Sequence, residues 1–259
     1  MAERPAILER IVDATRARVA DLRSRRAAVL ERAEASPAPP SFERAITSSG
    51  LAVIAEIKRR SPSKGDLAPD LDPAAIAVTY ANAGAAALSV LTEPNFFNGR
   101  PEDLVAASEA TGLPTLRKDF VLEAVQIWEA RAMGAAAVLL VVSVLTPAEL
   151  ASLLSDAAKA GVDALVEVHD AEEARLATDL GARIIGVNNR DLASFEVDLK
   201  VAEELAPLVA GAAATVAESG VSSGDQARRM RQAGYDAVLV GEALVTSADP
   251  GALIRELRS

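Results

Sequence analysis

The sequence contains no cysteine and only one histidine among its 259 residues. The chain therefore has no disulfide framework, no thiolate nucleophile and no cysteine-ligated zinc, and one histidine does not build a multi-histidine metal site. Aromatic residues make up only 3% of the chain, so base-stacking platforms are scarce and the core must be aliphatic. We expect chemistry that uses no metal ion.

Charge and hydropathy disfavour further classes of protein. The chain has 27 basic and 37 acidic residues, a formal charge of −10, which argues against nucleic acid and membrane surfaces as partners. Its longest apolar run, residues 135–145, is shorter than the roughly 18 residues of a membrane helix. Residues 1–5 lack the succession of basic, apolar and small residues that marks a signal peptide, so we expect a cytoplasmic protein.

The N-terminal segment has a helical pattern. Residues 6–34 carry apolar side chains at helical spacing, among them Ile7, Ile11, Val19 and Leu22. This spacing predicts an amphipathic helical segment that is broken once. Residues 36–40 end it, because the fixed φ angles and missing amide donors of their prolines do not continue a helix.

From residue 51 onward, short runs of Val, Ile, Leu and Ala alternate with polar clusters and Ala-rich amphipathic stretches. The runs are apolar at successive positions, which is typical of parallel strands covered by helices. They recur about every 26 residues, the length of a strand, a helix and two short loops. Eight strands are predicted, at residues 52–57, 86–91, 114–117, 136–142, 163–168, 183–187, 214–218 and 236–240.

Eight such units close a barrel. We predict an α/β protein: a (β/α)8 TIM barrel formed by residues 49–259, with an N-terminal helical extension, residues 1–48, packed on it within one structural domain. A doubly wound open sheet is the competing architecture, but no Gly-x-Gly-x-x-Gly motif opens a helix after any strand.

Polar residues cluster where the predicted strands end, and barrel enzymes carry their chemistry on the loops that follow these ends. The residues are Glu56, Lys58, Thr92, Glu93, Lys118, Asp119, Glu167, Asn188, Asn189, Arg190, Glu218, Ser219 and Gly220. A single charge at such a position is explained by an exposed, solvated loop. Burying several ionised groups is costly unless they pair with one another. The set therefore predicts a mutually compensated catalytic cluster of carboxylates and lysines.

Residues 58–65 form a basic segment that contains Lys58, Arg59, Arg60 and Lys64 and no anion. The segment concentrates positive potential in an acidic chain, and its serine, proline and glycine residues would let it order around an anion and reopen. We expect Arg59 and Arg60 to help capture an anionic substrate. The alternative is an exposed basic loop without a role in binding.

The last two predicted units carry glycines where many barrels bind phosphate. Ser219 and Gly220 follow the seventh strand, and Gly241 and Glu242 follow the eighth. Backbone amides donate to phosphate oxygens at such positions, and glycine lets the ligand approach closely. The pattern favours a phosphorylated substrate.

The single histidine, His169, follows the strand that carries Glu167. We expect the two side chains to point to opposite faces, as successive residues of an extended chain do. His169 is therefore assigned either a structural role or a role in supporting a neighbouring site residue.

The segments at the strand ends together resemble a known family. Residues 53–65 are similar to the signature segment of indole-3-glycerol-phosphate synthases, and seven more segments resemble that family in order: residues 88–92, 96–99, 116–120, 166–169, 186–192, 217–220 and 240–244. The chain departs from the family at residues 123–126, where an Asp-Pro-Tyr-Gln-like stretch is usual. The resemblance implies a carbon–carbon lyase of tryptophan biosynthesis, a carboxy-lyase that needs no cofactor.

Such an enzyme converts 1-(2-carboxyphenylamino)-1-deoxyribulose 5-phosphate to indole-3-glycerol phosphate and releases CO₂ and water. The resemblance implies that Lys118 is the acid of ring closure and that Glu167 is its carboxylate partner. Lys58 with Glu56 would hold the region of the substrate carboxylate and serve the dehydration.

The resemblance also implies residues that orient and bind the substrate. Those that would orient its hydroxyl and carboxylate groups are Asn188, Arg190 and Glu218. Those that would hold its phosphate are Ser61, Ser219, Gly220, Gly241 and Glu242. We expect a monomer or a weak dimer.

Two other interpretations stay open. A related phosphosugar barrel, such as a phosphoribosylanthranilate isomerase, would share the phosphate-binding ends but would not need Glu56 and Lys58 together with Lys118. A non-catalytic anion-binding barrel would keep the phosphate site and lose the acids.

Overall fold

Eight parallel strands form a closed barrel in the computed structural model, which describes residues 5–48 and 50–259. The strands are β1 (Ala52–Ile57), β2 (Ala87–Leu91), β3 (Thr115–Lys118), β4 (Ala137–Val141), β5 (Asp163–Val168), β6 (Ile184–Asn188), β7 (Ala214–Glu218) and β8 (Ala237–Val240). Each pairs with its neighbours in chain order, and β1 pairs with β8 to close the ring. The predicted (β/α)8 TIM barrel is confirmed, and each predicted strand end lies within one residue of the observed one.

Helices surround the barrel. In chain order they are α1 (Ala6–Ser24), α2 (Arg26–Ala35), α3 (Phe42–Ile46), α4 (Pro73–Asn82), α5 (Pro94–Phe97), α6 (Pro101–Thr111), α7 (Ala124–Ala132), α8 (Pro147–Ala160), α9 (Ala171–Asp179), α10 (Lys200–Val209), α11 (Gly224–Gln232), α12 (Glu242–Val245) and α13 (Pro250–Leu257). One long helix follows each strand, while α5 and α12 are short helices in the loops after β2 and β8. In the described part of the chain, no helix has the length and apolar character needed to cross a membrane.

The helices begin where polar side chains satisfy their free amides. Asp72, Thr146, Asp170, Ser223 and Asp249 each accept a hydrogen bond from a backbone amide in the first turn of the helix that follows. These are the residue types that favour the N-cap position. The polar clusters after the strands therefore also start the helices that cover the barrel.

The N-terminal helices α1 and α2 pack mainly on α7. The helical conformation is interrupted between them at Arg25, as the interrupted periodicity predicts. Val19, Leu22 and Val29 form a small apolar cluster with Val125 of α7. Residues 1–4, where we predict no signal peptide, and Ser49, at the predicted domain boundary, lie outside the described residues.

Gln126 organises the start of α7, where the sequence departs from the family pattern. Its side-chain oxygen accepts the amides of Leu122 at 2.7 Å and Glu123 at 3.1 Å, and its nitrogen donates to the Phe120 carbonyl at 2.8 Å. The helix behind β3 is therefore anchored by the one polar residue that the departing stretch shares with the family.

Helix α3 covers the N-terminal end of the barrel. It contacts β1 and β2, and its Glu43 amide donates to Asp163 at the start of β5, at 3.0 Å. The Glu43 carboxylate also pairs with Arg183, just before β6, at 2.7 Å. Because these partners lie on opposite sides of the ring, α3 spans the floor of the barrel, which Phe42 and Ile46 fill with fully buried side chains.

We predict that Phe42→Ala lowers the free energy of unfolding by about 3–5 kcal/mol, because a buried aromatic ring is lost and a cavity remains. Urea denaturation followed by circular dichroism measures the change. Arg44→Ala, an exposed substitution on the same helix, is the matched control. A cost below about 1 kcal/mol for Phe42→Ala would contradict the role of α3 as the floor.

Candidate active site

A cavity of about 700 Å³ opens at the C-terminal end of the barrel. All twelve predicted site residues line it: Glu56, Lys58, Ser61, Lys118, Glu167, Asn188, Arg190, Glu218, Ser219, Gly220, Gly241 and Glu242. The volume is within the range of small-molecule sites in proteins. Within the described residues, no group of three or more acidic or histidine side chains could hold a metal ion.

Lys118 is at the centre of the cavity. Its Nζ lies 2.9 Å from Glu167 Oε2 and 2.9 Å from Glu218 Oε2, and the three side chains are at most 13% exposed. With Glu56, these residues come from β1, β3, β5 and β7. Alternate strands of such a barrel supply one layer of four inward side chains, so the geometry of the barrel itself brings these four together.

The carboxylates keep Lys118 charged. Burial alone would lower the pKa of Lys118, but the negative charges of Glu167, Glu218 and Glu56 outweigh burial and raise the pKa above its usual value. Lys118 is therefore an ammonium ion at neutral pH, the form that a general acid requires.

The two carboxylates beside Lys118 have opposite pKa shifts. Burial alone would raise the pKa of Glu167, but Lys118 and His169 outweigh it and hold the pKa well below its usual range. The pKa of Glu218 is raised to about 7. Burial is the main cause, the charge of Lys118 opposes the rise, and the charges of Glu167 and Glu56 add to it. Glu167 is the ionised partner of Lys118, whereas Glu218 exchanges a proton near neutral pH.

Two glycines make room for carboxylates of the cluster. Glu218 Oε1 is buried, has no hydrogen-bond partner among the described residues and lies against Gly186 of β6, where a Cβ would overlap it. A Cβ at Gly241 would overlap the Glu56 carboxylate in the same way. Because glycine has no Cβ, it lets a carboxylate side chain approach the backbone closely at both positions.

Glu56 and Lys58 form a second charged pair. They are two residues apart at the end of β1 and face the same side, with Lys58 Nζ 2.9 Å from Glu56 Oε1. Ser89 of β2 donates to Glu56 Oε2 at 3.3 Å. Both carboxylate oxygens of Glu56 are thus held toward the cavity.

Asn188 and Arg190 extend the cluster at the end of β6. Asn188 Nδ2 donates to Glu167 Oε1 at 3.1 Å, and its oxygen accepts the Arg190 amide at 3.0 Å. The Arg190 guanidinium donates to the Phe195 carbonyl at 3.0 Å and lies 3.8 Å from Glu242. Its side chain is therefore braced toward the loop after β8.

The loop after β7 has a strained backbone beside the cavity. Ser219 and Gly220 both adopt left-handed φ angles, 64° and 87°. Asn189 holds this turn, because its Nδ2 donates to the carbonyls of Glu218 at 3.0 Å and Ser219 at 3.1 Å. A non-glycine residue in this conformation is costly, and such strain clusters at functional sites.

The basic segment folds over the mouth of the cavity. Arg60–Ser61 and Gly65–Asp66 form a two-residue antiparallel ladder, and the Lys64 amide donates to Ser61 Oγ at 3.2 Å. Lys64 Nζ lies 2.6 Å from Glu242 Oε1. The segment is thus connected across the mouth to the first residue of α12.

The expectation that Arg59 helps to capture an anionic substrate is wrong. Its side chain is buried, pairs with Asp103 of α6 and donates to the Leu71 carbonyl at 3.1 Å. Arg60, half exposed, remains at the surface near Asp66. Arg59 therefore fixes the base of the segment, because its side chain turns back toward the helical layer.

The expectation that His169 points away from Glu167 is also wrong. The two residues are two positions apart, so their side chains share a face. His169 Nε2 lies 3.3 Å from Glu167 Oε1, and Nδ1 lies 3.0 Å from Glu173 Oε2. Glu93, by contrast, takes no part in the cluster, because its carboxylate accepts three backbone amides at the start of α5.

Sequence reasoning missed the apolar wall of the cavity. Ile7, Leu8 and Ile11 of α1 line it, together with Phe97 and Phe120. The apolar stripe of α1 was visible, but where it docks depends on contacts distant in sequence. Phe97 and Phe120 lie within segments 96–99 and 116–120, which resemble the family, and this resemblance was the available signal.

Sequence reasoning also missed how α1 is fixed. Arg18 of α1 forms a double hydrogen bond with Asp119, at 2.8 and 3.1 Å, and Thr92 Oγ1 donates to the same carboxylate at 2.9 Å. Burial alone would raise the pKa of Asp119, but Arg117 and Arg18 outweigh it and lower the pKa. A charged contact therefore joins the N-terminal helix to the residue next to Lys118.

We predict that folding stability depends on pH through Glu218. Because its pKa is raised to about 7, Glu218 contributes stability below its ordinary pKa of 4.5, and this contribution is lost as the pH rises through about 7. Denaturation at a series of pH values should therefore show the wild type losing stability relative to Glu218→Gln between these two values. The exposed Glu204→Gln is the matched control, and a difference that grows in favour of the wild type with pH would contradict the raised pKa.

Comparison with solved structures supports the fold. The chain is similar to 3-hexulose-6-phosphate synthase from Salmonella typhimurium, with a TM-score of 0.66 and 16% identity over 80% of this chain and 97% of that one. It is also similar to a thiamine phosphate pyrophosphorylase from Pyrococcus furiosus, with a TM-score of 0.59 and 18% identity over 84% and 96%. At these identities the likeness concerns the fold alone.

Comparison with families and curated relatives is more specific. The sequence profile of indole-3-glycerol phosphate synthase matches residues 8–257. Indole-3-glycerol phosphate synthase 2 of Streptomyces coelicolor is 48% identical over 231 residues, which cover 89% of this chain and 90% of that protein. The synthase of Laribacter hongkongensis is 46% identical over 258 residues, 97% of this chain and 98% of that protein. The chain belongs to the indole-3-glycerol phosphate synthase family.

Proposed function

We propose that the charged layer at the mouth of the barrel closes the indole ring of the substrate, with Lys118 as the acid. The family reaction makes the chain a carbon–carbon lyase of tryptophan biosynthesis. It converts 1-(2-carboxyphenylamino)-1-deoxyribulose 5-phosphate to indole-3-glycerol phosphate, CO₂ and water. The observation that carries the proposal is the Lys118 ammonium held between two carboxylates inside the cavity.

Ring closure needs a proton donor at the sugar carbonyl. The arene carbon that bears the carboxylate attacks the carbonyl carbon, and the carbonyl oxygen takes a proton as the new carbon–carbon bond forms. Lys118 is charged, central and fixed by two carboxylates, so it supplies this proton. Glu167 and Glu218 hold the ammonium in place and are left to accept or return protons afterwards.

Decarboxylation and dehydration complete the reaction. The bond to the carboxylate breaks, CO₂ leaves, and the electron pair returns to the ring. The new hydroxyl then leaves as water while a proton is removed from the neighbouring carbon, which requires an acid and a base. The Glu56–Lys58 pair offers both: Lys58, which holds the substrate carboxylate until CO₂ leaves, then protonates the departing hydroxyl, and Glu56 accepts the proton from the neighbouring carbon.

The two ends of the cavity suit the two ends of the substrate. The phosphate binds at Ser61, Ser219, Gly220, Gly241 and the Glu242 amide, beneath the basic segment. The Glu242 carboxylate does not oppose this, because Lys64 neutralises it. Asn188 and Arg190 orient the hydroxyl and carboxylate groups, and the apolar wall receives the aromatic ring.

We also propose that the N-terminal helical extension, residues 1–48, and the barrel, residues 49–259, act as one structural domain. The Arg18–Asp119 contact and the α1 residues in the cavity wall support this. We propose a monomer or weak dimer, because the side chains of the site come from one chain. We place it in the cytoplasm, because disulfides are rare in that reducing compartment and the chain has no cysteine.

The test is an assay of the purified protein with 1-(2-carboxyphenylamino)-1-deoxyribulose 5-phosphate, followed by indole absorbance and fluorescence. We predict that Lys118→Met lowers kcat about 10²- to 10⁴-fold, because a positioned general acid is lost. KM should change less than kcat. Lys159→Met, at an exposed position of α8, is the matched control.

Two results would contradict the proposal. A wild-type protein that forms no indole product would overturn the function. A Lys118→Met variant that keeps more than about a tenth of the wild-type kcat would remove Lys118 from the chemical step.

A further inference from the structure

The only histidine of the chain is built into the edge of the charged cluster, although the mechanism above does not use it. His169 directly follows β5, and its side chain is 15% exposed. Its two ring nitrogens face two carboxylates, one on each side: Nδ1 faces Glu173 of α9 and Nε2 faces Glu167. His169 is therefore a bridge between the start of α9 and the carboxylate that pairs with Lys118.

The contacts determine where the protons are. Glu173 Oε2 accepts both the His169 amide, at 2.8 Å, and the ring Nδ1, at 3.0 Å. Because a carboxylate only accepts hydrogen bonds, Nδ1 carries a proton. Nε2 is buried, has no well-aligned hydrogen bond to the described residues and faces Glu167 Oε1 at 3.3 Å. If Nε2 carried a lone pair, the lone pair would face a carboxylate oxygen instead of water. The surroundings therefore favour a second proton on the ring, at Nε2.

We propose that His169 is a positioning residue that remains doubly protonated and, held by Glu173, fixes Glu167 as an oriented anion beside Lys118. The inference deepens the proposed function and rests on it, since it concerns the partner of the proposed acid.

The charges around His169 agree with this assignment. Glu167 of β5 and Glu173 of α9 contact the ring, Asp170 lies at the start of α9, and Lys118 of β3 reaches Glu167 from the far side. Burial alone would lower the pKa of His169, but Glu167 and Glu173 outweigh burial and raise the pKa to about 10. The amide and hydroxyl of Ser194 are the main groups that lower the pKa of Asp191, in the loop after β6, and a positive charge on His169 acts in the same direction.

The charged groups also balance in number. Lys58, Lys118 and His169 supply three positive charges, and Glu56, Glu167 and Glu173 supply three negative charges when Glu218 holds its proton. Without the charge of His169, the buried cluster would carry an uncompensated anion, which is costly in the interior.

The second positive charge has a consequence for turnover. When Lys118 gives its proton to the substrate, Glu167 loses the ammonium that stabilises it as an anion. The imidazolium remains on the other side, so Glu167 keeps its charge and its orientation while Lys118 is neutral. His169 thus acts through Glu167 without touching the substrate.

The first test uses the wild-type enzyme without substrate. Because the chain has one histidine, nitrogen-15 NMR reads its two ring nitrogens without assignment. We expect both to carry protons, with no titration between about pH 6 and pH 8.5. Glu173→Gln should bring the titration into this range, whereas Glu172→Gln, at the exposed neighbouring position, should not. Titration of the wild-type ring near its ordinary pKa of about 6.5 would overturn the proposal.

The second test compares His169→Asn and His169→Gln, with circular dichroism to check folding. The asparagine amide replaces only the donor toward Glu173, whereas the glutamine amide replaces the donor toward Glu167 without the charge. We expect kcat to fall about 10- to 100-fold in His169→Asn, the range of a lost hydrogen bond to a charged group, and less in His169→Gln. The acid limb of the kcat/KM profile should move to higher pH in His169→Asn, because Glu167 loses a positive neighbour.

Folded His169→Asn with wild-type kcat and an unmoved acid limb would overturn the inference. These outcomes are separable from failure of the proposed function. If the wild type forms no indole product, the function fails whatever the ring nitrogens show. If it forms the product but His169 titrates near its ordinary pKa, only the inference about His169 fails.

Discussion

The arrangement of the site depends on one buried cation, the Lys118 ammonium, which contacts Glu167 and Glu218 at 2.9 Å each. A single carboxylate would neutralise Lys118, so the second carboxylate brings excess negative charge into a site that excludes most water. This excess charge is removed when Glu218, whose pKa is raised, takes up a proton. The barrel makes the arrangement reproducible, because alternate strands bring their inward residues to one level.

The surroundings of the layer keep its members in place. Gly186 and Gly241 leave space for the carboxylates of Glu218 and Glu56. The Arg18–Asp119 contact fixes the loop that begins next to Lys118, so the N-terminal helix supports the acid as well as the apolar wall. Arg59, buried against α6, anchors the basic segment, whose tip reaches Glu242 through Lys64. The mouth is thus fixed at its base and bridged at its top.

The sequence was sufficient for the barrel and for the residues that share its cavity, because apolar runs mark the strands and the C-terminal ends of parallel strands meet at one end. The alternatives of an isomerase barrel and a non-catalytic barrel are set aside by the family match and by the acids around Lys118. The direction of Arg59 was not predictable, since no periodicity governs a loop side chain. The position of His169 was within reach, because a spacing of two from Glu167 places both on one face. The docking of α1 was not, since it depends on Arg18 and Asp119, which are 101 residues apart.

The central claim is that Lys118 enters the reaction as a protonated acid held by two carboxylates. The most direct measurement is an NMR titration of the five lysine side chains, with Lys118→Arg to assign the signal of Lys118. The account predicts that Lys118 keeps its proton at pH values near 10.4, where lysine in water loses half of its charge. A Lys118 signal that titrates at lower pH than those of the exposed lysines would show that burial outweighs the carboxylates, and it would contradict the account.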